Sequence, residues 1–104
     1  MGVKVSKTAK SDIDHFNHIK ELCKENRNNR EFLICLLKSE WIEIINKLNT
    51  NKLDRIHLSI SSHLIGFIHD DELNEIYTEL ITKWNTGKSD NSDYNNVTVY
   101  IEKI

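Results

Sequence analysis

Apolar residues recur at helical spacing in the first half of this chain. The first run predicts a helix over residues 12–25, with Ser11 as N-cap and Asp14 as its acidic third residue. A second run crosses the almost wholly apolar residues 32–37 and continues to Leu48, with Asn28 or Asn29 as cap. We interpret the second run as one long helix, and two helices that break near Ser39 are the alternative.

The clearest helical pattern begins after the acidic pair Asp70 and Asp71. Carboxylates at these positions cap free amides and stabilise the positive end of the helix dipole. A continuous apolar stripe follows from residue 73 to residue 84, and glutamates line another face. Glu79 stands four residues before Lys83, a spacing that favours an ion pair. These features predict a helix with one buried and one acidic side.

Residues 53–68 fit two patterns, and the choice between them decides the fold class. Residues 55–61 alternate apolar and polar side chains, as in a half-buried strand. Leu53, Ile56, Ile60, Leu64 and Phe67 also form a helical stripe. The β-branched isoleucines and the serines favour a strand over residues 55–60, followed by a short helix or turn to residue 68.

The C-terminal region reads as a loop followed by a strand. Residues 85–96 are polar and contain a glycine, which predicts an exposed connection, and residues 97–102 alternate strictly. Residues 3–5 could add a short strand, or residues 1–10 could fray. The fold class predicted is therefore α+β, a single domain over residues 1–104 with three to four helices packed on a two- to three-stranded sheet. An all-α bundle with a C-terminal strand is the alternative.

Composition narrows the classes of protein without naming one. With 104 residues, 38% hydrophobic and 29% charged, the chain has room for one core and is neither collagenous nor fully disordered. No apolar segment is long enough to span a bilayer and no secretory signal is visible, so we expect a cytoplasmic protein. Cys23 and Cys35 are then expected to be buried free thiols. The bias toward Ile, Asn and Lys suggests a low-GC bacterium, plasmid or phage.

Histidines offer the main candidates for chemistry. His15 and His18 stand three residues apart, but two ligands do not make a zinc site, so we expect no metal and no cofactor. His69 precedes two aspartates whose capping role already explains them. Residues 57–60 (His-Leu-Ser-Ile) resemble the His-apolar-Ser/Thr-apolar motif of the 2H phosphoesterase family. The resemblance implies that His57 and Ser59 point into a phosphate-binding cleft.

The single copy of that motif argues against catalysis. Enzymes of the family carry two copies, and one histidine cannot serve as both acid and base. We therefore expect His57 and Ser59 to face solvent on one side of a strand. No other nucleophile motif is present, so the sequence predicts a protein that is not an enzyme.

Charge is distributed unevenly along the chain. Residues 1–38 have a net charge of +3 and residues 39–104 of -5. The predicted partner-binding surface is acidic, with the loop over residues 85–96 as its adaptable rim: Asp70, Asp71, Glu72, Glu75, Glu79, Asp90 and Asp93. Opposite charge accelerates and orients protein association. The sequence thus predicts an inhibitor or immunity-type protein that occludes a basic partner, such as a nuclease or toxin.

Three further hypotheses stay open. The first is a phosphoesterase-like enzyme that uses His57. Lys20, Lys24 and Arg27, with Lys4, Lys7, Lys10 and Arg30, could form a basic surface for nucleic acid, although glutamates are interleaved with them. Self-association is another hypothesis. Two copies could pair as a homodimer through a C-terminal strand at a sheet edge or through the apolar residues 32–37.

Overall fold

Five α-helices make up the fold in the computed structural model, which describes residues 10–50, 53 and 55–104. They are α1 (Lys10–Glu25), α2 (Arg30–Asn49), α3 (Arg55–Ile68), α4 (Asp71–Asn85) and α5 (Asn91–Lys103). These described ranges contain no strand, so the α+β prediction is wrong and the chain is an all-α bundle. The suggested strand over residues 3–5 lies outside the described residues.

The strand predicted over residues 55–60 is the first part of α3. Its buried residues are spaced by three and four: His57, Leu58, Ile60, Ser61, Leu64, Ile65 and Ile68. The strand period and the helical period both fit residues 55–60, but only the helical period continues to residue 68. α3 packs against α1, α2 and α4, and this burial outweighs the weak preference of isoleucine for strands.

The strand predicted over residues 97–102 is also wrong, because α5 covers this segment. Tyr94, Val97 and Ile101 are buried one helical turn apart, whereas Val99 is 56% exposed. Asp90 is the N-cap of α5 and directly precedes its first residue. The connection after α4 is therefore residues 86–90, shorter than the loop expected over residues 85–96.

The other helices follow the sequence closely. α2 is one helix, as predicted, and the side chain of Asn29 accepts a hydrogen bond from the Phe32 amide. α4 begins at Asp71 with Asp70 as N-cap, which confirms that prediction. α1 begins at Lys10, so Ser11 lies inside the helix and the prediction of Ser11 as N-cap is wrong.

All five helices contribute to the core, and α2 and α3 supply the most buried apolar side chains. Trp41 on α2 packs edge-on to Tyr77 of α4 and in parallel with Tyr94 of α5, with ring centroids 5.9 and 6.5 Å away. The apolar segment over residues 32–37 contributes Leu33, Ile34 and Leu37 to the core. The large apolar side chains that remain exposed in the described residues are Ile13, Ile42 and Val99.

Both cysteines are free thiols, as expected, but only Cys23 is buried. Burial raises the pKa of the Cys23 thiol. Cys35 is exposed on α2, which corrects the expectation that both are buried. None of the helices in the described ranges is long and apolar enough to cross a membrane.

Candidate functional site

Four carboxylates of the predicted acidic surface lie on one exposed side of α4. They are Asp71, Glu72, Glu75 and Glu79, which we call the α4 acidic face. At about 100° per residue they share one sector of the helix, away from the buried residues Leu73, Tyr77 and Leu80. None of the four forms a salt bridge with a described lysine or arginine. All four are exposed, although Glu72 also interacts with the Tyr100 side chain and Glu79 acts electrostatically on Lys83.

Asp70 has a structural role instead. Its Oδ1 atom accepts hydrogen bonds of 2.9 Å from the Leu73 amide and of 2.9 Å from the Tyr100 hydroxyl. Its Oδ2 atom lies 3.4 Å from the guanidinium of Arg30. The hydrogen bond to Asp70 is the largest of the effects that raise the pKa of Tyr100 to about 12. Asp70 thus joins α4 to α2 and α5, and it has little capacity left for a partner.

Asp90 and Asp93 are likewise occupied within the fold. Together they form a capping box at the start of α5, in which each carboxylate accepts a backbone amide of the other residue. Asp93 is 8% exposed and accepts a 2.8 Å hydrogen bond from Lys83. That bond is the largest cause of the lowered pKa of Asp93. Lys83 therefore pairs with Asp93, and the salt bridge expected with Glu79 does not form.

The two residues that resemble the phosphoesterase motif do not share a cleft. His57 is 7% exposed, whereas Ser59 is exposed. Residues two apart point the same way on a strand, but on a helix they are rotated by about 200°. The expectation that both face solvent is wrong for His57, because α3 is a helix.

The other histidines are also separated. His15 lies 2.6 Å from the largely buried carboxylate of Glu40, so it joins α1 to α2, while His18 is exposed. His69 directly follows the last residue of α3, with φ of +61° and an exposed side chain. Asp70, the next residue, caps α4. Among the described residues no three histidine, cysteine or acidic side chains are grouped as a metal site would require.

The basic residues of α1 are dispersed. Lys20 lies over the ring of Phe16, 4.4 Å from its centroid, and Lys24 approaches Glu21 at 3.9 Å. Arg27 is exposed in the turn between α1 and α2. Lys4 and Lys7 lie outside the described residues. What the structure describes is therefore a mixed surface, with acidic and basic groups side by side.

A cleft between α1, α3 and α4 was not predicted from the sequence. It has a volume of about 410 Å³, and its lining includes Phe16, Arg55, Ser59, Ser62, His63 and Trp84. Four of these residues follow i, i+4, i+7 and i+8 spacing along α3. That pattern is visible in the sequence once the segment is taken as a helix, and the strand assignment concealed it.

Comparison with protein-family models, with curated proteins and with solved structures finds no match to this chain. The side chains of this chain are therefore the only basis for proposing a function.

Proposed function

We propose that the chain is a protein-binding module that recognises a basic partner through the α4 acidic face. We exclude three residues from the binding surface first predicted, because their carboxylates accept hydrogen bonds within the fold: Asp70, Asp90 and Asp93. The remaining surface comprises Asp71, Glu72, Glu75 and Glu79. Helix α4 fixes the spacing of their backbone positions, so binding has to order the exposed side chains but not the backbone.

The observation that carries the proposal is the imbalance of charge on this face. Four carboxylates occur within nine residues, whereas the one lysine of α4, Lys83, hydrogen-bonds Asp93 and acts only electrostatically on Glu79. The side chains between them on the same face are polar and uncharged, Asn74 and Thr78. Such a face creates a local negative potential that attracts and orients a positively charged surface.

The partner that fits this face best is a protein whose own function requires a positive surface, such as a nuclease or a toxin that holds phosphate. An inhibitor or immunity-type protein acts by covering that surface. Free thiols at Cys23 and Cys35 suit a reducing compartment, so we place this encounter in the cytoplasm. Neither catalysis nor a cofactor is required.

The test compares two triple variants as tagged baits in the native host. One variant neutralises the acidic face with Glu72→Gln, Glu75→Gln and Glu79→Gln. The control has Glu25→Gln, Glu43→Gln and Glu102→Gln, which remove three exposed charges from other helices. Both variants undergo the same change in net charge, so only the position of the charges differs.

We expect wild type and control to retain a basic protein at a stoichiometric ratio, identified by mass spectrometry. The acidic-face variant should lose it, and the association rate with the purified partner should fall about tenfold or more at low salt. Circular dichroism checks that the helices remain. Equal retention by both variants, or recovery of only this chain or of nucleic acid, would overturn the proposal.

A further inference from the structure

The cleft between α1, α3 and α4 combines polar and aromatic groups in a way that the acidic face does not. Its polar side belongs to α3, where Arg55, Ser59, Ser62 and His63 fall within one sector of the helix about 100° wide. Arg55 and both serines are exposed to solvent, and His63 is half-buried. These four side chains therefore line one wall with hydrogen-bonding groups that a solute can reach.

Arg55 is the main anchor on this wall. Its guanidinium donates a hydrogen bond to the side-chain oxygen of Asn85 on α4. A guanidinium carries five N–H donors, so this contact orients the group and leaves donors for a ligand. Arginine binds phosphate and carboxylate oxygens through two parallel hydrogen bonds. Ser59, one turn further along α3, adds a hydroxyl donor beside it.

Aromatic rings form the remaining walls. Phe16 of α1 lies edge-on to His63, with ring centroids 6.0 Å apart, and Trp84 of α4 borders the cleft from the other side. Phe16 and Trp84 are both half-buried, so part of each ring is held by the core and part faces the cleft. Rings fixed in this way offer flat apolar surfaces for stacking.

The charge of the cleft is positive in the part of the chain that the structure describes. Its lining there includes no aspartate or glutamate, while Arg55 contributes a full charge. Lys20 lies over one face of the Phe16 ring and acts electrostatically on His63. A volume of about 410 Å³ lies within the range of small-molecule pockets.

We propose that this cleft binds a small aromatic molecule that carries a phosphate or carboxylate group. The oxyanion lies at Arg55 and Ser59, and the ring stacks against Phe16 and Trp84. On α4 the cleft is lined by Ile81, Trp84 and Asn85, which occupy a different sector of the helix from the four carboxylates of the α4 acidic face. The inference is independent of the proposed function.

The test is an NMR titration of the whole ¹⁵N-labelled chain with three probes of increasing size: phenyl phosphate, indole-3-acetate and adenosine 5′-monophosphate. At least one probe should bind with a dissociation constant below about 1 mM. It should shift the amides of Arg55, Ser59 and His63 and the indole N–H of Trp84. Adenosine and inorganic phosphate, which each lack one half of the ligand, should bind at least tenfold more weakly.

Arg55→Gln should weaken that binding at least tenfold, and Ser59→Ala should weaken it less, since its hydroxyl is a neutral donor. Arg27→Gln is the matched control, because it removes the same charge from an exposed turn away from the cleft. Three results would each overturn the proposal: no binding of any of the three probes, equal binding of adenosine or phosphate, or equal affinity of the Arg55 and Arg27 variants.

Discussion

Gly66 and Gly87 differ in backbone conformation but not in the space around them. Gly66 lies inside α3. Gly87 follows α4 with φ of +71°. A Cβ atom built on either residue would meet no heavy atom within 4 Å. Steric crowding therefore plays no part, and the effect of an alanine at each site depends on the backbone alone.

Gly66→Ala should raise the free energy of unfolding by about 1 kcal/mol, since alanine is the stronger helix former. Gly87→Ala should lower it by about 1 kcal/mol, since a Cβ disfavours positive φ. Urea denaturation followed by circular dichroism measures both. Each variant is the control for the other. If both changed the free energy of unfolding in the same direction, the roles assigned to the two backbone conformations would be wrong.

At the scale of the helix, α5 depends on its first turn. Asp93 accepts the Asp90 amide at 3.0 Å and the Lys83 ammonium at 2.8 Å, so one carboxylate both closes the capping box and ties α5 to α4. The hydrogen bonds from Lys83 and from the backbone lower the pKa of Asp93 below its ordinary value of 3.8. Its ionised form is therefore favoured in the folded state.

Stability should consequently depend on the ionisation of Asp93. Above pH 3.8 the carboxylate is ionised whether the chain is folded or not, and its full contribution is present. As pH falls below 3.8 the unfolded chain takes up the proton first, and the contribution is lost as pH falls through the lowered pKa of the folded state. Asp93→Asn should thus be destabilising at pH 7, by an amount that shrinks in acid.

Urea denaturation at a series of pH values measures this difference. Lys83→Gln is the control, because without the ammonium the pKa of Asp93 should rise toward its ordinary value. The acid loss of stability in Lys83→Gln should therefore still begin near pH 3.8, but it should end at higher pH and be smaller than in wild type. A difference between wild type and Asp93→Asn that stays constant down to pH 2 would refute the assigned role.

At the scale of the whole molecule, Trp41 joins three helices. Its ring packs against Tyr77 and Tyr94, and its Nε1–H donates a 2.7 Å hydrogen bond to the hydroxyl of Thr98 on α5. The Thr98 hydroxyl in turn donates to the Tyr94 carbonyl at 2.9 Å. Because Trp41 is 3% exposed, an indole N–H without this acceptor has little access to water.

Thr98→Val should therefore lower the free energy of unfolding by about 1–3 kcal/mol, since it keeps the shape of the side chain and leaves a buried donor unpaired. Thr98→Ser keeps the hydroxyl and should be destabilising by less. Tryptophan fluorescence and circular dichroism in urea measure both variants. Equal losses in the two variants would show that the hydrogen bond contributes nothing.

Local sequence determined three of the helices and two of their caps. The apolar stripes of α1, α2 and α4 extend over enough turns to exclude a strand, and Asn29 and Asp70 cap through their own side chains. The start of α1 was placed two residues late, because no capping side chain marks it in the described residues. The exposed acidic side of α4 also follows from spacing alone.

Only the tertiary structure decided α3 and α5. In both segments a short alternating pattern also fits a strand, and packing against neighbouring helices selects the helix. That choice placed His57 in the core and brought Arg55 and His63 to one cleft. It likewise set Asp93 against Lys83, a contact between residues ten apart in the sequence that forms only because of the way α4 and α5 meet. Spacing fixes which face a side chain occupies, but only packing determines what that face meets.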